Sequence, residues 1–239
     1  MQKISEAMIL CAGLGTRMRP LTDNLPKPLI PVLNKPILDY LIESLTNYGV
    51  TKIVINKHYF PEQIEERVNI YKNKYPNTNF ITIFEPELLD SGGGVKNASK
   101  HFLGSSIFVI NGDIIFLNDK AETLSLMNEA YNNEDCLMAA QLPENAIGYD
   151  GKGDFVLEDG KIVRFAHKTN PNSKPYIFPG IQIIKLDALN RINESIFSLR
   201  ELYYTNFTTQ ATVLPNKWLH IGTPQNLKDA EKYLSSLLQ

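Results

Sequence analysis

The 239-residue sequence predicts an α/β fold, a mostly parallel mixed sheet flanked by helices. Three observations lead there. Short apolar runs of strand length recur along the first half, amphipathic stretches of helical period separate them, and the connections between runs leave room for crossovers. Past residue 141 hairpin signals appear, which makes the sheet mixed.

The runs Ala7–Cys11, Lys52–Asn56, Phe80–Phe84, Ile107–Ile110 and Leu137–Gln141 are apolar almost throughout, as strands covered on both faces are. Between them Ile37–Tyr48 places Ile37, Leu41, Ile42 and Leu45 on one helical face, and Pro61–Tyr71 opens with proline and acidic residues, as helix N-termini prefer. In the second half, GKGDFVLEDGKIVRF reads as two short strands about an Asp159-Gly160 turn. Ile177–Ile184 and Ala211–Leu214 read as further strands, and Pro224–Leu238 as a closing amphipathic helix behind a Thr223-Pro224 start. With no internal repeat or low-complexity linker, the chain is expected to form one domain, 1–239.

Composition narrows the partners. The formal net charge is −2 with both signs mixed along the chain, so no basic stripe exists to track a nucleic-acid backbone. Cys11 and Cys136 both sit in apolar runs, which predicts free buried thiols in a reducing compartment. The apolar part of MQKISEAMILCAG is too short for a signal-peptide core or a membrane span, so a cytoplasmic protein with no membrane partner is expected.

The most informative segment follows the first strand: CAGLGTRMRPLTDNLPKPLIPV. Ala12, Gly13 and Gly15 allow a tight turn whose amide N–H groups approach phosphate oxygens, and Arg17 and Lys27 supply charge for a polyphosphate. Gly13-x-Gly15 alone is not specific. Met18 stands where a dinucleotide fingerprint needs its third glycine, and the GK[ST] ending of a P-loop is missing, so both of those readings lose ground.

AGLGTRMRPLTDNLPKPLIPV resembles the signature of the sugar-1-phosphate nucleotidyltransferase family, approximately AGxGTRxxPLTxxxPKxLxPV. The resemblance continues through KPILDYLIESLTNYGVTKIVIN, NGD and WLHIGTP. It implies a Rossmann-like sheet of the glycosyltransferase-A-like nucleotidyltransferase type, with a nucleotide-binding half, 1–141, and a sugar-binding, closing half, 142–239. Within the family, DSGGGVKNA is most similar to bacterial N-acetylmuramate-1-phosphate uridylyltransferases of cell wall recycling, with mannose-1-phosphate guanylyltransferases next. A module that binds nucleotide sugars without turnover is the alternative of a different class.

The resemblance implies that a nucleoside triphosphate and a sugar 1-phosphate are joined with release of pyrophosphate. Arg17 would contact the triphosphate, Lys27 would bridge the reacting phosphates, and Asp113 would bind Mg²⁺ just past the end of a buried strand. Glu85 and Gly92 would lie near the nucleobase and Asn111 in the nucleotide pocket, the three glycines of DSGGG preceding a helix. Lys168 would hold the sugar phosphate and Gly180 would leave room for the sugar ring. Two positions depart from the family: His167 where relatives have glutamate, and His220 where they carry an aspartate or asparagine as second metal ligand. An imidazole there would favour Mn²⁺ or Co²⁺ over Mg²⁺. A monomer or small homo-oligomer is expected.

Overall fold

The computed structural model describes residues 3–117, 122–158, 161–165, 174–203 and 206–237. Strand β1 (Glu6–Leu10) runs into the glycine-rich loop, which returns through a ribbon of β2 (Pro31–Val32) and β3 (Lys35–Pro36) to helix α1 (Ile37–Tyr48). Strand β4 (Lys52–Lys57), helix α2 (Pro61–Lys74), strand β5 (Asn79–Phe84), helix α3 (Asp90–Ala98) and strand β6 (Ser106–Asn111) follow. Beyond a Gly112-Asp113 turn come β7 (Ile114–Phe116), α4 (Glu122–Ala130) and β8 (Cys136–Ala140). The second half adds β9 (Ala146–Ile147), β10 (Phe155–Glu158), β11 (Lys161–Phe165), β12 (Ile181–Lys185), the short α5 (Leu186–Leu189), β13 (Thr209–Val213), β14 (Trp218–His220) and α6 (Pro224–Leu237).

The main sheet has the order β10-β11-β13-β8-β12-β6-β1-β4-β5. Strands β5, β4, β1 and β6 are parallel neighbours, β12 runs against both β6 and β8, and β13 is parallel to β8. The antiparallel pair β10 and β11 ends the sheet. Helices α1, α2 and α4 cover one face through Leu41, Leu45, Ile64, Val68 and Met127, while α3 and α5 cover the other through Val95, Ala98 and Leu189. This coverage explains the apolar runs: β1, β4 and β6 are buried on both sides. Each large aliphatic side chain fully withdrawn from water contributes about 1.5–3 kcal/mol.

Register sets up the site. Leu10 lies opposite both Asn56 and Asn111, so the carboxyl ends of β1, β4 and β6 open at one level, where parallel sheets place their ligands. A smaller sheet, β7-β14-β9, adds a wall beside them. In it His220 pairs with Ile114, and the Ile221 N–H donates to the Asp113 carbonyl at 3.2 Å.

Several expectations need correction. The glycines of DSGGG do not precede the helix; α3 starts at Asp90 and contains all three. Ile177–Ile184 is not one strand, because Gly180 takes φ +86 and leaves Ile177 in a separate bridge with Gln141. The strands β10 and β11 pair as the hairpin reading requires, while Asp159 and Gly160 lie outside the described residues. Cys11 and Cys136 are both buried free thiols. Among the described residues no helix is long and apolar enough to cross a membrane.

Candidate active site

Two cavities open at the carboxyl edge of the sheet. The inner one, about 580 Å³, is lined by Ala12, Gly13, Gly15, Lys27, Asn56 and Glu85, among others. The outer one, about 590 Å³, lies against Tyr149, Asp154, Phe178, Gly180, Arg200 and His220. Arg17, Asn111 and Asp113 line both, so these three mark the junction. Each cavity falls in the size range of small-molecule sites, about 300–1,000 Å³.

The glycine-rich loop owes its shape to local bonds. Gly15 sits at φ +62, and its carbonyl accepts the Met18 N–H at 2.9 Å and the Thr22 hydroxyl at 2.9 Å. At Gly13 a β-carbon would meet nothing within 4 Å, so the backbone borders open space at the cavity wall. Arg17 is exposed, and its guanidinium makes no hydrogen bond or ion pair among the described residues. Lys27, on a single 3₁₀ turn between Pro26 and Pro28, places Nζ 2.5 Å from Asp113 Oδ2. That ion pair is partly buried, with side chains 11% and 22% exposed.

Beneath the loop lies a buried relay of polar groups. The Cys11 N–H donates to Asn56 Oδ1 at 2.7 Å, and Asn56 Nδ2 donates to Glu85 Oε1 at 2.8 Å. Glu85 lines the inner cavity, and one of its oxygens is committed to Asn56. Gly92 does not line either cavity. A β-carbon on Gly92 would run into the ring and carbonyl oxygen of Phe197, and the Gly92 and Gly93 N–H groups donate to that carbonyl. The glycine is small because the segment bearing Phe197 packs on α3.

On the outer side, Gly180 holds its φ of +86 against Asn111, whose N–H donates to the Gly180 carbonyl at 2.8 Å. A β-carbon there would press on Asn111 at 3.0–3.2 Å. His220 stacks beside Trp218 and Tyr149, with ring centroids 5.5 and 6.3 Å away. Burial lowers its pKa below the usual 6.5; the Asp113 carboxylate opposes the shift, and the Lys27 and Arg17 cations add to it. Burial also raises the carboxyl of Asp154, against the Phe178 N–H that it accepts and the nearby Arg200 and His220. The Trp218 indole N–H is buried with no hydrogen-bond partner among the described residues, a deficit of about 1–3 kcal/mol. Lys168 and His167 lie outside the described residues.

Among the described residues no cluster of three His, Cys, Asp or Glu is arranged as a complete metal cage. Asp113 and His220 nonetheless lie on adjoining strand ends beside the junction. One carboxylate and one neutral imidazole side by side are donors that a divalent cation of the Mg²⁺ or Mn²⁺ kind accepts, and such a cation seldom takes an all-protein cage.

Asn56, Asp154, Arg200 and Trp218 were not predicted from sequence. Only Asn56 carried a signal, a polar residue directly after the apolar run Ile53–Ile55 of β4.

The nucleotidyl transferase family matches residues 6–236. The chain is 30% identical to an N-acetylmuramate alpha-1-phosphate uridylyltransferase of Caulobacter vibrioides over 96% of both proteins. It is 33% identical to a mannose-1-phosphate guanyltransferase of Hypocrea jecorina, covering 97% of this chain and 65% of that one. Among solved structures, HddC of Yersinia pseudotuberculosis complexed with GMP-PN is similar with a TM-score of 0.77 and 26% identity, over 96% of this chain and all of that one.

Proposed function

The chain belongs to the nucleotidyl transferase family as a sugar-1-phosphate nucleotidyltransferase, and from that premise we propose that it joins uridine triphosphate to N-acetylmuramate 1-phosphate. The observation that carries the mechanism is the meeting of the two cavities at Arg17, Asn111 and Asp113. The inner cavity takes the triphosphate and the outer one the sugar phosphate. An oxygen of the sugar phosphate attacks the α-phosphorus in line, the bond to the β-phosphate oxygen breaks, and pyrophosphate leaves with that electron pair.

Nothing in this step requires a covalent enzyme intermediate, so catalysis rests on positioning and charge neutralisation. The backbone at Ala12, Gly13 and Gly15 cradles phosphate oxygens, and the unpaired Arg17 guanidinium neutralises the triphosphate. Lys27, held at the junction by Asp113, sits where charge builds on the transferring phosphoryl group. A divalent cation held by Asp113 and His220, Mg²⁺ or the softer Mn²⁺ or Co²⁺, would supply further neutralisation of phosphate charge. Asp154 offers an acceptor to sugar hydroxyl groups.

Similarity to the uridylyltransferase along 96% of both chains supports uridine and muramate. A second reading, guanosine triphosphate with mannose 1-phosphate, draws on the fungal guanyltransferase and on HddC with its guanine nucleotide. A panel of four triphosphates against muramic, glucosamine, glucose and mannose 1-phosphates separates them. Tenfold better use of guanosine triphosphate would move the enzyme to the second reading.

A further inference from the structure

The five arginines whose side chains are described divide into two groups. Arg19, Arg67 and Arg191 each hold a carboxylate, from Asp23, Asp39 and Asp135. Arg17 and Arg200 hold none among the described residues, and both line the outer cavity. Arg17 stands at the phosphate junction. A second unpaired guanidinium in the same cavity asks for a second anion.

Arg200, Asp154 and His220 line the outer cavity and not the inner one, so Arg200 stands apart from the nucleotide-side wall formed by the glycine-rich loop. It does not close an ion pair with Asp154, whose Oδ2 is taken by the Phe178 N–H at 2.8 Å. The guanidinium is exposed at the cavity wall, so its side chain is reachable from solvent.

The backbone beneath Arg200 is firmly held. Leu199 and Leu202 on either side are 3% and 0% exposed, the Leu199 N–H donates to Ser91 Oγ at 3.0 Å, and the Phe197 carbonyl receives the N–H groups of Gly92 and Gly93. Gly92 and Gly93 of α3 thus dock the segment that presents Arg200, a reason for consecutive glycines in a helix that sequence alone did not give.

Resting on the sugar 1-phosphate reading, we propose that Arg200 selects the acceptor by pairing with a carboxylate carried on the sugar away from its phosphate, so that the preferred acceptor is an acidic sugar 1-phosphate. A guanidinium offers a carboxylate two parallel N–H bonds, which a neutral sugar cannot return. N-Acetylmuramate 1-phosphate differs from N-acetylglucosamine 1-phosphate by a lactyl ether ending in such a group.

The test compares these two acceptors, and mannose 1-phosphate, in pyrophosphate release with whichever triphosphate is turned over fastest. The wild type should favour the muramate. Arg200→Gln should lower kcat/KM for the muramate about tenfold more than for the glucosamine, through KM, and Arg200→Lys should recover part of the difference. Equal losses on both acceptors, or a wild type that does not discriminate, would overturn the proposal. So would turnover of mannose 1-phosphate alone, which leaves the transferase reading standing. Absence of pyrophosphate with every acceptor would instead remove the sugar-phosphate reading, and the proposal with it.

Discussion

Lys27 Nζ and Asp113 Oδ2 lie 2.5 Å apart, joining a residue of the glycine-rich loop to one 86 positions later in the turn after β6. Lys27 lines the inner cavity and Asp113 lines both cavities, so the pair ties the inner cavity to the junction.

Removing either cation of the junction should cost rate with little cost in fold. Arg17 is exposed and unpaired, and Lys27 belongs to a loop fixed by prolines. Arg17→Ala and Lys27→Ala should each lower kcat by about 10²–10³ or more with an unchanged circular dichroism spectrum. Near-normal kcat in either variant removes that residue from the mechanism.

Metal preference should depend on His220. Its lowered pKa leaves the imidazole neutral at neutral pH, the form able to coordinate, and a proton arrives only below the usual 6.5. Apparent Mn²⁺ affinity should therefore hold from about pH 8 to pH 6.5 and weaken below that. His220→Asp should shift preference towards Mg²⁺ and flatten the acid limb. Identical Mg²⁺ and Mn²⁺ titrations for the two proteins would mean that His220 is not a ligand.

Gly92 should matter for stability and not for base choice. A methyl group there meets the Phe197 ring and carbonyl, so Gly92→Ala should destabilise by about 1–3 kcal/mol and lower Tm by several degrees. Unchanged melting with an altered triphosphate preference would return Gly92 to the base site.

Glu6 anchors the opposite end of the sheet. Burial raises its carboxyl, but the Lys52 ammonium at 2.6 Å and the N–H groups of Gly104 and Leu103 outweigh this, and the net pKa lies below the usual 4.5. A depressed carboxylate stabilises the fold above the unfolded value, and that contribution is lost as pH falls through the folded value. Glu6→Gln should cost about 3 kcal/mol at neutral pH, and the gap from wild type should narrow below about pH 4 in urea melts. A gap that does not change with pH contradicts the assignment.

The sheet and the glycine-rich loop were legible for one reason: each rests on residues close together in sequence. Buried parallel strands announce themselves as apolar runs, and the proposed phosphate cradle draws Ala12, Gly13, Gly15 and Arg17 from one short stretch of chain. Groups that converge from distant segments carry no such local mark. Asp154 and Arg200 reach the outer cavity from separate loops, and Asn56 meets Glu85 across 29 residues. The glycines of α3 misled because glycine costs a helix about 1 kcal/mol, so a run of three reads as a loop until the contacts with Phe197, Ser195 and the Glu85–Asn56 pair show what requires them.

The central claim, that two cavities meeting at Arg17, Asn111 and Asp113 join a triphosphate to a sugar phosphate, is tested most directly by following both products together. Purified protein with uridine triphosphate, N-acetylmuramate 1-phosphate and Mg²⁺ or Mn²⁺ should release pyrophosphate and uridine-diphosphate sugar in equal amounts by phosphorus NMR. Omission of either substrate, or Lys27→Ala, should abolish both signals. Tight binding of triphosphate and sugar phosphate with no pyrophosphate formed, for any base or acceptor, would contradict the account and leave a binding module.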